Sequence, residues 1–166
     1  TDTGKLDDTV IVLFADHYPY GLSNNTLASF LGDEILEEKN RDNTPFIIYN
    51  SNITPQKYED YTTIMNILPT IANLFDLDYD PRLYMGSDLF DPNYKSLAVF
   101  TDGSWVNETA YYDASNSKLT YKNDANQLTD EEVISLNQEI NDKINMSNLA
   151  IKKDYFTYLD YFRKSE

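Results

Sequence analysis

The sequence contains no cysteine. Disulfides, thiolate metal sites and cysteine nucleophiles are therefore excluded. Histidine is nearly absent as well, with His17 the sole example. Basic residues are few. Thirteen Lys and Arg face 28 Asp and Glu, which leaves a net charge of -15. A surface of that sign repels phosphate backbones at long range, so no nucleic-acid partner is expected. Long apolar runs are missing too. The longest are of strand length, well short of the roughly 20 residues needed to cross a bilayer. No internal repeat and no flexible linker interrupt the chain.

What remains is ample for a folded protein. At 166 residues, with 41% hydrophobic and 14% aromatic side chains, the chain is long and apolar enough for a core. Fourteen tyrosines and eight phenylalanines supply large amphipathic groups suited to sheets and partly wet interfaces. The run Thr9–Phe14 predicts a strand. Its density of β-branched residues reads as a buried parallel strand. Asp16 and His17 stand where that strand ends. Ligands in open α/β sheets gather outside the carboxyl ends of strands. A carboxylate beside an imidazole there offers one oxygen and one nitrogen to a divalent cation. Equally, the pair is readable as two side chains hydrogen-bonded at a strand end.

Tyr18-Pro19-Tyr20-Gly21 turns the chain. Asn24 or Asn25 is expected to cap a helix through Leu27, Phe30 and Leu31, closed by Gly32, with a short charged helix at Glu34–Lys39. Pro45–Tyr49 predicts a second buried strand, with Pro45 at its start where a missing N–H is tolerated. Apolar residues at three- and four-residue spacing predict helix over 62–75. Pro69 should kink it or open its first turn, with Asn66, Ile67 or Leu68 near the cap. Residues 76–92 form an acidic loop. Leu97–Thr101 is a third strand, Asp102-Gly103 a hairpin turn, and 105–121 continues as antiparallel hairpins. Thr129 and Glu132 make a capping box for a long amphipathic helix, expected to break near Asn145–Asn148.

Four ordered segments carry a family resemblance: Thr9–Pro19, Pro45–Tyr49, Asn66–Phe75 and Tyr84–Phe90. Their order and spacing resemble the C-terminal part of the lipoteichoic acid synthase branch of the sulfatase/alkaline phosphatase superfamily, over about residues 5–162. The resemblance implies an α/β sandwich with a mostly parallel sheet, a small antiparallel C-terminal sheet and a long C-terminal helix. It implies that residues 1–92 belong to the α/β core and 93–166 to the antiparallel strands and helix, all within the C-terminal portion of one catalytic domain. The activity implied is transfer of glycerophosphate from phosphatidylglycerol by an extracellular metal-dependent enzyme. That enzyme is held at the outer face of a bacterial membrane by N-terminal helices, or secreted. Hydrolysis of a related phosphate or sulfate ester, as in sulfatases and phosphodiesterases, and a non-catalytic surface module are the alternatives.

The family's metal-binding Asp-His pair matches Asp16 and His17. The metal implied is manganese, with zinc, magnesium and calcium left open. The family's nucleophilic threonine, its acidic ligand and its substrate-binding residues precede that pair, so no catalytic residue is assigned in this chain. The metal site it holds is incomplete, and the chain alone is expected to be inactive. Ala15 stands where the family commonly has Gly, and Asn66 where it often has Asp; both read as structurally neutral. Unpaired strand edges predict self-association.

Other residues invite functional readings and are read as structural. Asp76, Asp78 and Asp80 are spaced like a calcium loop, but Pro81 and Ser87 occupy positions that need Gly and Glu. Arg82 is expected to pair with Asp78 or Asp88 rather than to hold phosphate. Thr70 lacks a neighbouring base. Ser104 and Trp105 are read as turn and core. The glycosylation tripeptides at Asn24, Asn52 and Asn107 are read as chance. The aromatic cluster Tyr155–Phe162 is read as a helix docked on the sheet rather than a membrane-surface stripe.

Overall fold

A computed structural model describes residues 4–36, 40, 42–123 and 126–164. The chain divides into two compact units, Thr1–Lys57 and Tyr58–Glu166.

In the first unit, strand β1 (Ile11–Phe14) pairs with β2 (Phe46–Tyr49). The pairing is antiparallel, with Ile11 opposite Tyr49 and Phe14 opposite Phe46. The mostly parallel sheet expected from the sequence is not found; both sheets among the described residues are antiparallel. An apolar run records a demand for burial, whereas strand direction depends on the path between strands. The burial expected of these strands is also partial. Leu13 is 54% exposed, and Ile47 and Tyr49 are exposed as well. The strand pair is clamped at one end by side chains. Asn50 donates from Nδ2 to the Thr9 carbonyl at 2.9 Å, and Ser51 donates to Asp7 at 2.6 Å.

Helix α1 (Asn24–Leu31) follows β1. Its cap is Ser23, not Asn24 or Asn25: the Ser23 hydroxyl accepts from the Thr26 N–H at 3.2 Å. Gly32 ends it as expected, at φ 88°, a conformation costly for any other residue. A 3-10 turn covers Asp33–Leu36, and residues 37–39 of the expected charged helix lie outside the described residues.

The second unit opens with a 3-10 turn at Ile64–Asn66 that leads into α2 (Ile67–Leu74). Pro69 falls in the first turn of α2, where its missing N–H removes no helical bond. Strands β3 (Leu97–Val99), β4 (Trp105–Asn107), β5 (Ala110–Asp113) and β6 (Lys118–Tyr121) form an antiparallel meander. Gly103 (φ 90°) makes the first hairpin turn. Helix α3 (Asp130–Lys152) lays Ile140 on Trp105 and Ala110, flanked by Val133, Leu136 and Ile144. The capping box is present as read, with Thr129 and Glu132 exchanging bonds. The expected break at Asn145–Asn148 does not occur. Asn is a poor helix former but costs well under 1 kcal/mol per residue. Ile144, packed at the core, holds that turn in place. The helix instead ends at Lys153, Asp154 adopts φ 48°, and α4 (Tyr155–Arg163) follows.

Candidate metal-ligand pair

The first unit places Asp16 and His17 just past the end of β1, beside the start of β2, because Phe14 faces Phe46 in the ladder. His17 Nε2 lies 3.4 Å from Asp16 Oδ1. Both side chains are exposed, at 51% and 80%. The imidazole does not pack into the interior, and both side chains are open to solvent.

Pro19 organises the ring from behind. Its fixed φ suits a tight three-residue turn. The Tyr20 N–H donates to the Tyr18 carbonyl at 2.8 Å. That same carbonyl lies 2.8 Å from His17 Nδ1. A carbonyl only accepts, so Nδ1 carries a hydrogen, and Nε2 is the ring nitrogen that a neutral imidazole would offer to a ligand. The Tyr20 ring sits 4.6 Å from the imidazole, centroid to centroid, and Tyr18 meets Tyr20 edge-on at 5.8 Å. The sequence marked Asp16 and His17 but not these two supporting roles. Pro19 between two tyrosines was the available signal, read only as a chain reversal.

The pair has donor types that suit a divalent cation: a carboxylate oxygen and an imidazole nitrogen, side by side, with the other ring nitrogen bonded to a carbonyl. It does not make a full coordination sphere, which takes about four or more donors. Among the described residues no group of three or more His, Asp or Glu side chains is placed to share a cation.

Other marked residues make contacts within the fold. In the second unit Asp80 and Arg82 form a two-pronged ion pair, Nε to Oδ1 at 2.9 Å and Nη2 to Oδ2 at 2.6 Å. The expected partners Asp78 and Asp88 are not used. Asp80 is two residues away and also accepts the Arg82 N–H at 3.0 Å, so one local turn satisfies both side chains. The guanidinium bonds hold the Asp80 carboxyl down at about 2. Asp88 bonds to Asn73 and to the Phe90 N–H instead. Thr70 is fully buried. It donates to the Asn66 carbonyl at 2.6 Å and accepts from the Leu89 N–H at 3.0 Å. Ser104 braces the Asp102 turn, and Trp105 donates to Asn137 at 2.7 Å. Asn107 accepts from the Thr109 and Ala110 N–H groups in its own turn.

Asn66 occupies the N-cap position of α2, as expected, but its side chain works elsewhere. Its backbone is helical (φ -80°, ψ -16°) and its side chain does not cap α2. Buried at 6% exposure, it donates to Thr62 at 2.9 Å and Tyr94 at 3.0 Å, and accepts from the Ser87 N–H at 2.9 Å. It thereby ties residue 87 to the start of α2. Burial pushes the Tyr94 phenol up. Gly86 lies against the same turn, where an added Cβ would stand 2.1 Å from the Met65 carbonyl oxygen. A cavity of about 250 Å³ in this unit is lined by Asn66, Met85, Tyr94, Lys95, Leu136 and Lys143, among others. On its rim Lys143 pairs with Glu139 at 3.0 Å.

Comparison with known proteins agrees with the segment pattern. Residues 1–77, which hold the Asp-His pair, match the Sulfatase family model. The chain is 27% identical over 163 residues to the lipoteichoic acid synthases of Staphylococcus aureus strains USA300, NCTC 8325 / PS 47 and N315. That alignment covers 93% of this chain and 24% of each relative, so the chain spans about a quarter of the length of the curated relatives it matches. The chain is thus similar to lipoteichoic acid synthases over most of its length, and to the sulfatase family over its first 77 residues.

Proposed function

We propose that this chain supplies an Asp-His ligand pair to the metal centre of an extracellular phosphoglycerol transferase, as the C-terminal part of its catalytic domain. The observation that carries the reading is the geometry of His17. Its Nδ1 is committed to the Tyr18 carbonyl, and its Nε2 is left beside Asp16 Oδ1 on an exposed strand tip.

The chemistry divides among named atoms. Asp16 contributes an anionic oxygen. His17 contributes a neutral nitrogen, so the pair cancels only one of a divalent cation's two charges. A cation held there supplies Lewis acidity toward a phosphoryl oxygen and lowers the proton affinity of an attacking hydroxyl. Tyr18 and Pro19 hold the tautomer, and Tyr20 restrains the ring plane against rotation. Manganese fits the mixed oxygen and nitrogen donors, as zinc does, better than calcium. Phosphatidylglycerol is the donor this reading assigns, at the outer face of a bacterial membrane. Hydrolysis of a phosphate or sulfate ester is the second reading; it uses the same ligand pair and a water in place of the acceptor hydroxyl.

Two ligands hold a cation weakly, so the chain by itself is expected to bind manganese poorly and to turn over no ester. Titration calorimetry with manganese tests this. Weak binding that falls further in His17→Ala and in Asp16→Asn is the expected result. Sub-micromolar binding by this chain, or weak binding indifferent to both substitutions, overturns it.

A further inference from the structure

We propose that the C-terminal helical segment, residues 143–164, is a docking surface for an anionic phospholipid bilayer. This goes beyond the metal-site reading and does not depend on it.

Charge is segregated along the chain. Residues 143–164 hold five of the thirteen basic side chains and two of the 28 acidic ones. This segment is net cationic within a protein of charge -15. At physiological ionic strength the Debye length is about 8 Å, so a local cationic patch meets an anionic surface largely on its own terms.

The same segment is where large apolar side chains stand exposed. The sequence reading docks the aromatic cluster on the sheet; the structure leaves Phe156 at 54%, Tyr158 at 57% and Tyr161 at 72% exposure. Along α3, Met146, Leu149 and Lys153 follow one another at three- and four-residue spacing, which puts them in one row. Along α4 and its end, Tyr158, Tyr161 and Lys164 do the same. Each row sets exposed apolar surface beside a cation. Aromatic rings seated at headgroup depth, with lysine stems reaching up to lipid phosphates, use that arrangement. No helix among the described residues is long and apolar enough to cross a membrane, so the segment lies on the surface and does not span it.

Co-sedimentation of this chain with phosphatidylcholine vesicles, and with vesicles containing phosphatidylglycerol, tests the proposal. Binding is expected to be several-fold tighter to the anionic vesicles and to weaken as salt is raised. Lys153→Gln combined with Lys164→Gln lowers it by roughly 30-fold, at about 1 kcal/mol per lysine near the surface. Tyr158→Ser combined with Tyr161→Ser weakens what binding persists at high salt. Asp160→Asn raises anionic binding by roughly fivefold on the same scale, a gain that misfolding does not mimic. Equal partition to neutral vesicles, partition to neither, or indifference to these variants overturns the proposal. So does a change in the lipid-free oligomeric state on Lys153→Gln/Lys164→Gln, which would assign the patch to a second copy of this chain. Manganese calorimetry is unchanged in all these variants, so this proposal and the metal reading fail separately.

Discussion

Single residues in this chain are held mainly by partners two to four positions away, and Asp80 shows what that does to a titration. The Arg82 guanidinium brings its carboxyl from an ordinary value of 3.8 down to about 2. A carboxyl depressed in the folded state stabilises that state above its unfolded value. The contribution is lost as pH falls from near 3.8 through about 2. The pair is exposed on the arginine side, so the effect shows in titration before it shows in melting. Carbon-detected NMR of the Asp80 carboxyl should give a midpoint near the folded value, and Arg82→Ala should return it toward 3.8. An unshifted Asp80, or one indifferent to Arg82→Ala, removes the pair. Local spacing made such a bond legible in outline, since the sequence reading gave Arg82 to a loop carboxylate. It missed which one, because a bond within one 3-10 turn depends on backbone angles that spacing does not report. Asn66 stands at the expected cap position, but its side chain makes no capping bond. An Asn before an apolar helix reads as a cap, but a capping side chain needs extended backbone. The 3-10 turn that it closes sets helical angles, and two of its three partners, Ser87 and Tyr94, are tertiary contacts, with Thr62 four residues back.

Elements were legible where their signals were local and chemical. The capping box, the Asp102-Gly103 hairpin, the meander and the Gly32 stop are all written in short stretches. Element ends and strand directions were not. Helix α3 runs through Asn145–Asn148 because packing of Ile144 outweighs weak local propensity, and it stops where Asp154 takes a left-handed conformation. Two substitutions at its ends should therefore move stability in opposite directions. Thr129→Ala removes the acceptor for the Glu132 N–H and breaks the box, at a cost of about 1 kcal/mol. Asp154→Gly relieves the left-handed backbone and should gain up to about 1 kcal/mol. Urea unfolding with unchanged slope is the measurement. Stabilisation by Thr129→Ala, or destabilisation by Asp154→Gly, would refute this account of how the helix is bounded.

At the scale of the molecule, the first unit exposes what its sequence was built to bury. The β1–β2 pair has one unpaired edge on each strand among the described residues, and Ile11, Leu13, Phe14, Ile47 and Tyr49 are exposed along it. The reading of β1 as a buried parallel strand rested on that apolar density, and the density is real. Burial and direction depend on neighbouring strands, and those are not specified by residues 9–14. A short apolar ladder with open edges is a template for another strand. The chain in solution is therefore expected to associate through this unit. Light scattering should show a mass above that of one chain, growing with concentration, and Leu13→Lys or Ile47→Lys should return it toward a monomer. Both positions face solvent in the single chain, so a charge there costs little folding stability but is desolvated when another strand covers it. If the association is real but survives both lysines and disappears with Lys153→Gln/Lys164→Gln instead, the contact belongs to the C-terminal helices. A monomer at all concentrations means that the open ladder stays solvated.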